Sequence, residues 1–489
     1  MNWIELILFL IAVSLPVAVL VFYSRIPPMG TPDNVVRFAN INIPDSTVGF
    51  SKEQTGPKSM TGQRYTSVSV LPVGSEFDIV VGDARLAQVT GINRRDNGEW
   101  ASTVLGENLA TPASVVSIDL DSDGDQDFVV SCSGSIESSD HRIGRVVWLE
   151  NENGEFTTRT ILRRVRRAAD AQCGDFDSDG DIDIVVAIVG GQIQGEILIL
   201  ENNGEQEFTD YQVMSIPGTL NVPVKDFDGD GDLDFAAVVS GEDQQVWVFE
   251  NDGKRFDSSR KHLAFSSINF DLGLTSMIAV DVDKDGDQDL VATKGGHKFS
   301  TFKEYPKPWH GVQLLENKGD WKFEMKEISN VSGATDIASA DLDGDGDIDF
   351  AIVSRLNDWM VETAGSVYWL ENDGEQAFKT WKIADDPIQV GSVDCGDFDG
   401  NGSVDIVIGC VHPIAPFERF GGVEVLLNEN ESGPKNKDEN EPPKSAASNN
   451  AKTQSSLLPK FSSAKSKLAN EDSIYSIANA TRAITGAKQ

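Results

Sequence analysis

Six times along the chain, aspartates stand at alternate positions within nine residues, a spacing that wraps oxygen ligands round a cation. The first group is Asp119, Asp121, Asp123, Asp125 and Asp127, and the second is Asp175, Asp177, Asp179, Asp181 and Asp183. The third is Asp226, Asp228, Asp230, Asp232 and Asp234, and the fourth Asp281, Asp283, Asp285, Asp287 and Asp289. The fifth is Asp341, Asp343, Asp345, Asp347 and Asp349, and the sixth thins to Asp397, Asp399, Asn401, Ser403 and Asp405. Carboxylates at positions 1, 3, 5 and 9 of such a loop point to one centre. The glycine at position 6 permits the sharp turn, and the carbonyl at position 7 adds an oxygen. Six to eight hard oxygens in a flexible cage suit Ca2+ better than Mg2+, which prefers a strict octahedron and keeps more of its own water. No His or Cys sits in the loops to favour zinc or copper. An EF-hand begins the same way but needs a Glu at position 12 and helices on both flanks. Position 12 here is Val130, Val186, Ala237, Ala292, Ile352 and Ile408, all apolar. Four convergent carboxylates without a cation repel one another. The expectation is five strong Ca2+ sites and a sixth, poorer in charge, that binds more weakly.

These loops account for much of the composition. They hold 28 of the 78 acidic residues in a chain of formal net charge −37. So acidic a surface repels nucleic acid and anionic membranes. Loops of extracellular modules bind calcium at ~10⁻⁴–10⁻³ M, which favours a location outside the cytoplasm.

The elements that position the loops repeat with them. Successive loops start 56, 51, 55, 60 and 56 residues apart, a period that suits four short strands with their turns. Each unit has a short apolar stretch before the loop and a β-branched run after it. A hydrophobic run then ends in Glu-Asn and Gly, as in ILILENNG and VWVFENDG, a strong hairpin signal. The fourth strand opens on an aromatic residue with an apolar one five later: Phe156/Ile161, Phe208/Val213, Phe323/Ile328, Phe378/Ile383. A degenerate seventh unit precedes these, with Asp78 at the last loop position but Val70, Pro72 and Gly74 in ligand places. The last unit stops without a fourth strand. Phe38 and Ile43 share the five-residue spacing, so residues 34–44 are expected to complete the last blade and close the ring.

The loop followed by an apolar strand resembles the FG-GAP/VCBS repeats of integrin α-like seven-bladed β-propellers. The resemblance covers residues 34–428. It implies an all-β propeller in which each acidic loop joins the first two strands of a blade and holds Ca2+, except in the first blade. The blades are expected near 65–112, 113–169, 170–220, 221–275, 276–334, 335–390 and 391–428 plus 34–44, within a domain of residues 31–428. Such propellers serve adhesion, carbohydrate binding and occasionally lyase chemistry, so the fold alone does not name the function.

The ends differ in kind. Residues 4–23 are almost wholly apolar, long enough for a bilayer-spanning helix, so residues 1–30 read as an uncleaved anchor or, second, a cleaved signal. Residues 429–489 are polar and rich in Pro, Lys, Ser and Asn, a disordered-tail composition, with residues 473–484 a candidate short amphipathic helix. Cys132, Cys173, Cys395 and Cys410 occupy equivalent repeat positions and read first as small buried strand residues. Disulfides come second, permitted by export.

In each blade the acidic loop and the Asn-Gly turn share one face, leaving the longest and least repetitive connections on the other. Those carry His297, Trp309, His310, Trp359 and His412, and the connection after Ile161 carries Arg163 and Arg164. Long aromatic-rich loops on a rigid scaffold are where binding tends to sit, so this face is expected to take a glycan or protein, an anionic one included. The chain has no HExxH, GxSxG or phosphate-cradling glycine loop. The alternatives are a Ca2+-dependent polysaccharide lyase, with Lys298, Lys303, Lys307 or His310 as base, and an accessory structural propeller.

Overall fold

The computed structural model describes residues 50–54 and 65–429, apart from 73–74, 96, 136–138, 191–193, 242, 270–271, 297–305, 358–363 and 412–421. The expected N-terminal anchor, the strand at 34–44 and the C-terminal tail lie outside the described residues. Among the described residues no helix is long and apolar enough to cross a membrane.

Seven antiparallel sheets follow one another. Blade 1 is β2 (Tyr65–Val70), β3 (Ile79–Asp83), β4 (Gln88–Arg94) and β5 (Trp100–Gly106). Blade 2 is β6 (Pro112–Ile118), β7 (Asp127–Cys132), β8 (Gly144–Glu152) and β9 (Glu155–Val165), and blade 3 is β10 (Ala168–Gly174), β11 (Asp183–Ile188), β12 (Glu196–Asn202) and β13 (Phe208–Met214). In blade 4 the inner strand is split into β14 (Thr219–Asn221) and β15 (Val224–Lys225), followed by β16 (Asp234–Ser240), β17 (Gln244–Phe249) and β18 (Lys261–Ser267). Blade 5 is β19 (Leu274–Val280), β20 (Asp289–Lys294), β21 (Gly311–Asn317) and β22 (Phe323–Ser329). Blade 6 is β23 (Ala334–Ala340), β24 (Asp349–Ser354), β25 (Val367–Asn372) and β26 (Phe378–Ala384). Blade 7 is β27 (Val390–Gly396), β28 (Asp405–Cys410), β29 (Val423–Asn428) and, from the other end of the chain, β1 (Phe50–Gln54).

The closing strand corrects the sequence expectation. Phe50 pairs with Asn428 and Gln54 with Glu424, so residues 50–54 supply the outer strand assigned to 34–44. Phe50 faces Asn428 as Phe208 faces Asn202 and Phe378 faces Asn372. No apolar residue follows Phe50 within β1, so the five-residue spacing of Phe38 and Ile43 does not mark this strand. Outer strands are half-exposed and largely polar beyond their first aromatic, and FSKEQ fits that rule.

Burial peaks in the second strand of each blade, above the inner strand and the outer one, for a simple reason. Second strands such as β7, β11, β20, β24 and β28 are buried at every residue, because each sheet is packed between two others. Side chains alternate across a strand, so each second strand feeds two interfaces. Ile184, Val186 and Ile188 pack toward blade 2, whereas Val185 and Ala187 pack with Phe235 and Phe249 of blade 4. The seven principal apolar clusters are the seven blade interfaces, the one between blades 7 and 1 included.

Around the axis, side-chain hydrogen bonds link each inner strand to the next. Ser69 Oγ donates to Val115 O (2.9 Å), and Ala171 N–H donates to Ser114 Oγ (3.1 Å). Val222 N–H reaches Asp170 Oδ2 (2.9 Å), Met277 N–H reaches Asn221 Oδ1 (3.0 Å), and Thr275 Oγ1 reaches Ala334 O (3.1 Å). Val393 N–H reaches Asp336 Oδ2 (3.2 Å), and Val70 N–H closes the circle on Asp394 Oδ2 (2.7 Å). Strands that meet edge-on at an axis leave backbone groups without ladder partners, and these polar side chains satisfy them.

The four cysteines are free thiols, Cys132 and Cys410 fully buried. Burial pushes the Cys132 thiol up to about 11 and Cys173 to about 12, as expected of inert packing residues.

Candidate metal centre

Each acidic loop joins the first and second strands of its blade. Positions 4 and 6 are both left-handed: φ is 60–78° at Ser122, Ser178, Gly229, Lys284, Gly344 and Gly400, and 87–102° at the six position-6 glycines. That double reversal curls the loop round its first carboxylate, whose Oδ2 accepts the position-6 N–H at 2.9–3.1 Å in all six loops. The position-5 side chain accepts the N–H of position 7, from Asp125 to Asp123 (2.8 Å) through to Ser403 on Asn401 (2.7 Å). A Cβ on Gly180 would meet nothing within 4 Å, so its φ of 97° is the whole reason for glycine there. Gly180→Ala should therefore cost about 1–2 kcal/mol in backbone strain, read as a lower Tm. An unchanged Tm would show that the loop relaxes.

Carboxylate oxygens from positions 1, 3 and 5, or 1, 3 and 9, come within 4.8 Å of one another: Asp119/Asp121/Asp127, Asp175/Asp177/Asp179, Asp226/Asp228/Asp230, Asp281/Asp283/Asp285 and Asp341/Asp343/Asp349. Three oxygens in these groups, Asp119 Oδ1, Asp177 Oδ1 and Asp281 Oδ1, are buried without a hydrogen-bond partner. A buried lone pair left bare is costly, and an all-oxygen cluster of carboxylates is the donor set a hard divalent cation takes. The residues fit such an ion. Burial and then the neighbouring position-5 carboxylate raise Asp121, Asp177, Asp228 and Asp283.

Position 9 does more than the sequence suggests. Its Oδ2 accepts the position-2 N–H and its Oδ1 the N–H of the asparagine ending the third strand. For Asp234 these are Phe227 (2.9 Å) and Asn251 (2.7 Å). Burial pushes Asp127, Asp289 and Asp405 up to about 6, and Asp183, Asp234 and Asp349 up to about 7. In the first blade, which lacks the alternating aspartates, Asp78 keeps half this task, its Oδ2 accepting Arg94 N–H at 2.6 Å. The side chains at position 7 turn from the cluster toward the hairpin. Asp125 accepts Asn153 N–H (2.7 Å), and a Cβ on Gly204 or Gly374 would lie 2.5 Å from Asp181 or Asp347. Asp125, Asp181, Asp232, Asp287 and Asp347 are thus candidate donors through their carbonyls, not their carboxylates.

The sequence reading missed the asparagines. Asn151, Asn202, Asn251, Asn317, Asn372 and Asn428 do more than form turns: each side-chain amide donates to the position-8 carbonyl of its own loop. Three also cross blades, to the position-2 carbonyl of the preceding loop: Asn251 to Phe176 (2.7 Å), Asn317 to Phe227 (3.0 Å) and Asn428 to Leu342 (2.8 Å). The position-2 side chains, Leu120, Phe176, Phe227, Val282, Leu342 and Phe398, are buried in the interface with the following blade. Each loop therefore fastens one blade to the next. Recurrence of Asn at one place in all six loop-bearing units, including units whose turn residues vary, was the available signal. Loops also touch each other: Lys284 Nζ reaches Asp347 Oδ1 (2.8 Å), and Gln376 Nε2 bridges Asp283 Oδ2 (2.8 Å) and Glu316 Oε1 (2.7 Å). Burial alone would raise Glu316, but hydrogen bonds from Lys318, Lys326 and Gln376 hold it at about 2.

On the opposite face, Trp309 is exposed with Lys307 Nζ 5.9 Å from its ring centre, and Arg163 and Arg164 are exposed. His310 departs from expectation. It is 3% exposed and its Nδ1 accepts Gly333 N–H (3.1 Å), so it is a packing residue and not a surface group. His297, Trp359 and His412 lie outside the described residues.

Comparison with known families finds an FG-GAP-like repeat model matching residues 119–186, 175–237 and 226–292. No curated protein matches the chain. Each match begins on the first aspartate of one loop and ends in the strand after the next, spanning a blade junction. That is the unit the hydrogen bonds define. Residues 119–292 carry FG-GAP-like repeats, within a seven-bladed β-propeller.

Proposed function

We propose that the protein is an exported, calcium-stiffened binding module, anchored by residues 1–30, whose face opposite the acidic loops takes a glycan or protein. An FG-GAP propeller is a scaffold of the binding and adhesion type. The observation that carries the division of labour is the direction of the loop contacts. Each acidic loop is occupied with the next blade through its position-2 side chain and, in blades 3, 4 and 6, its position-2 carbonyl. A cation held there stiffens junctions, and recognition falls to the other face, where Trp309 and Lys307 present an aromatic platform with a cation beside it. Aromatic faces stack on sugar rings and apolar side chains, and long connections on a rigid frame supply specificity. Calcium is the ion of choice because the donors are all oxygen and numerous.

The test is a glycan array and defined-ligand titration of the full chain with calcium, beside the variant Trp309→Ala/Lys307→Ala. Binding weaker by tenfold or more at unchanged Tm supports the reading. Equal binding by the variant, or binding lost only through loop substitutions, overturns it.

A further inference from the structure

The propeller axis ends, on the face away from the acidic loops, in a cavity of about 70 Å3. Arg167 and Arg355 line it with Thr66, Thr111, Ser133 and Thr335. Its position follows from topology. Arg167 immediately precedes inner strand β10 and Arg355 immediately follows second strand β24, and both strand ends lie opposite the loop that joins first and second strands. The hydroxyls of Thr66, Ser133 and Thr335 donate to backbone carbonyls, and among the described lining residues the charged donors are the two guanidiniums. Arg167 is 1% exposed and is held by Nε to Ser135 O (3.2 Å) and Nη1 to Gly190 O (3.4 Å). Burial draws its pKa down to about 10. Deeper in the axial channel the charged lining residues are Lys225 and three carboxylates, Asp170, Asp336 and Asp394, each carboxylate already accepting the backbone N–H of the next blade. In a chain of net charge −37, two arginines among the residues lining one mouth are the feature that singles it out.

We propose that this mouth is a subsite for one carboxylate group of the ligand, with Arg355 and Arg167 as its charged donors. The site sits on the face proposed above for recognition and rests on that reading. Guanidinium matches a carboxylate as a planar fork, with two parallel N–H···O bonds that an ammonium cannot copy. A cavity of about 70 Å3 has room for a carboxylate group. Two sources carry that group, the uronic acid of an acidic glycan and an aspartyl or C-terminal carboxylate of a peptide.

The experiment is calorimetric titration of the calcium-loaded full chain with a free uronic acid, its neutral parent sugar, N-acetyl-aspartate and sodium sulfate. At least one carboxylate probe should bind tenfold or more tighter than the neutral sugar and sulfate. Uronic acid alone marks a glycan site; both carboxylates mark recognition of the bare group. Arg355→Gln should weaken that binding by tenfold or more. Arg355→Lys, which keeps the charge and loses the fork, should fall between and serves if the glutamine variant folds poorly. No carboxylate preference, or equal binding by both variants at unchanged Tm, overturns the subsite. If an acidic polymer still binds Arg355→Gln normally but not Trp309→Ala/Lys307→Ala, the recognition face stands and only the subsite fails.

Discussion

Stripping calcium with a chelator should lower the Tm of the full chain by roughly 10–20 °C at neutral pH. A ligand at a hundredfold excess over its Kd stabilises the folded state by about 2.7 kcal/mol per site, and the protein offers several. The effect is expected to be large because the loops sit at blade junctions, where Phe176, Phe227 and Leu342 are gripped from both sides. The pH dependence has a definite sign. Folding raises the position-9 aspartates from 3.8 to about 6 or 7 by burial, so between those values the folded state binds more protons than the unfolded. Their contribution is fully present below pH ~4 and is lost as pH rises through 6 to 7. Metal-free protein should thus become less stable from pH 5 to 8. Calcium, competing with the same protons, should become more effective over that range. The gap between chelated and loaded Tm widens with pH. Differential scanning fluorimetry at pH 5, 6.5 and 8 reads it directly, and a gap absent at every pH would remove the cation from the fold's stability.

Much of this was legible in the residues because the repeat is written in the chemistry that builds it. Alternating aspartates, a glycine at the reversal and an apolar run after it are needed at every copy, so six copies reveal the blade, its period and the loop's place. The half-exposed outer strands carry a weaker signal. In most of them only the first aromatic is constrained, as where Phe50, Phe208 and Phe378 pair with Asn428, Asn202 and Asn372, and Phe50–Gln54 carries little else to mark it. Long-range bonds escaped for another reason. Asn251 to Phe176 spans 75 residues and Val70 to Asp394 spans 324, and no local pattern encodes a partner in another blade. His310 illustrates the converse error. Its place in a long connection points to the surface, yet its Nδ1 accepts Gly333 N–H and the ring is buried.

The position-9 aspartate offers the sharpest separation of frame from metal. Asp234→Ala orphans two backbone donors, Phe227 N–H and Asn251 N–H, both at buried residues. At about 1–3 kcal/mol for each donor left unsatisfied, the cost should be about 2–6 kcal/mol even in chelator. The same change removes a carboxylate beside the third cluster, so calcium stoichiometry should fall by one and the chelator-sensitive part of the Tm should shrink. Asp78→Ala is the matched control. In the first blade Asp78 Oδ2 holds Arg94 N–H, while Leu71 N–H goes to the Asp78 backbone carbonyl and survives the change. It should cost about 1–3 kcal/mol and leave stoichiometry and the chelator-sensitive increment untouched. Calorimetry of calcium binding on both variants distinguishes the cases. Loss of a site in Asp78→Ala would mean that the first blade holds metal after all, and full stoichiometry in Asp234→Ala would confine position 9 to the frame.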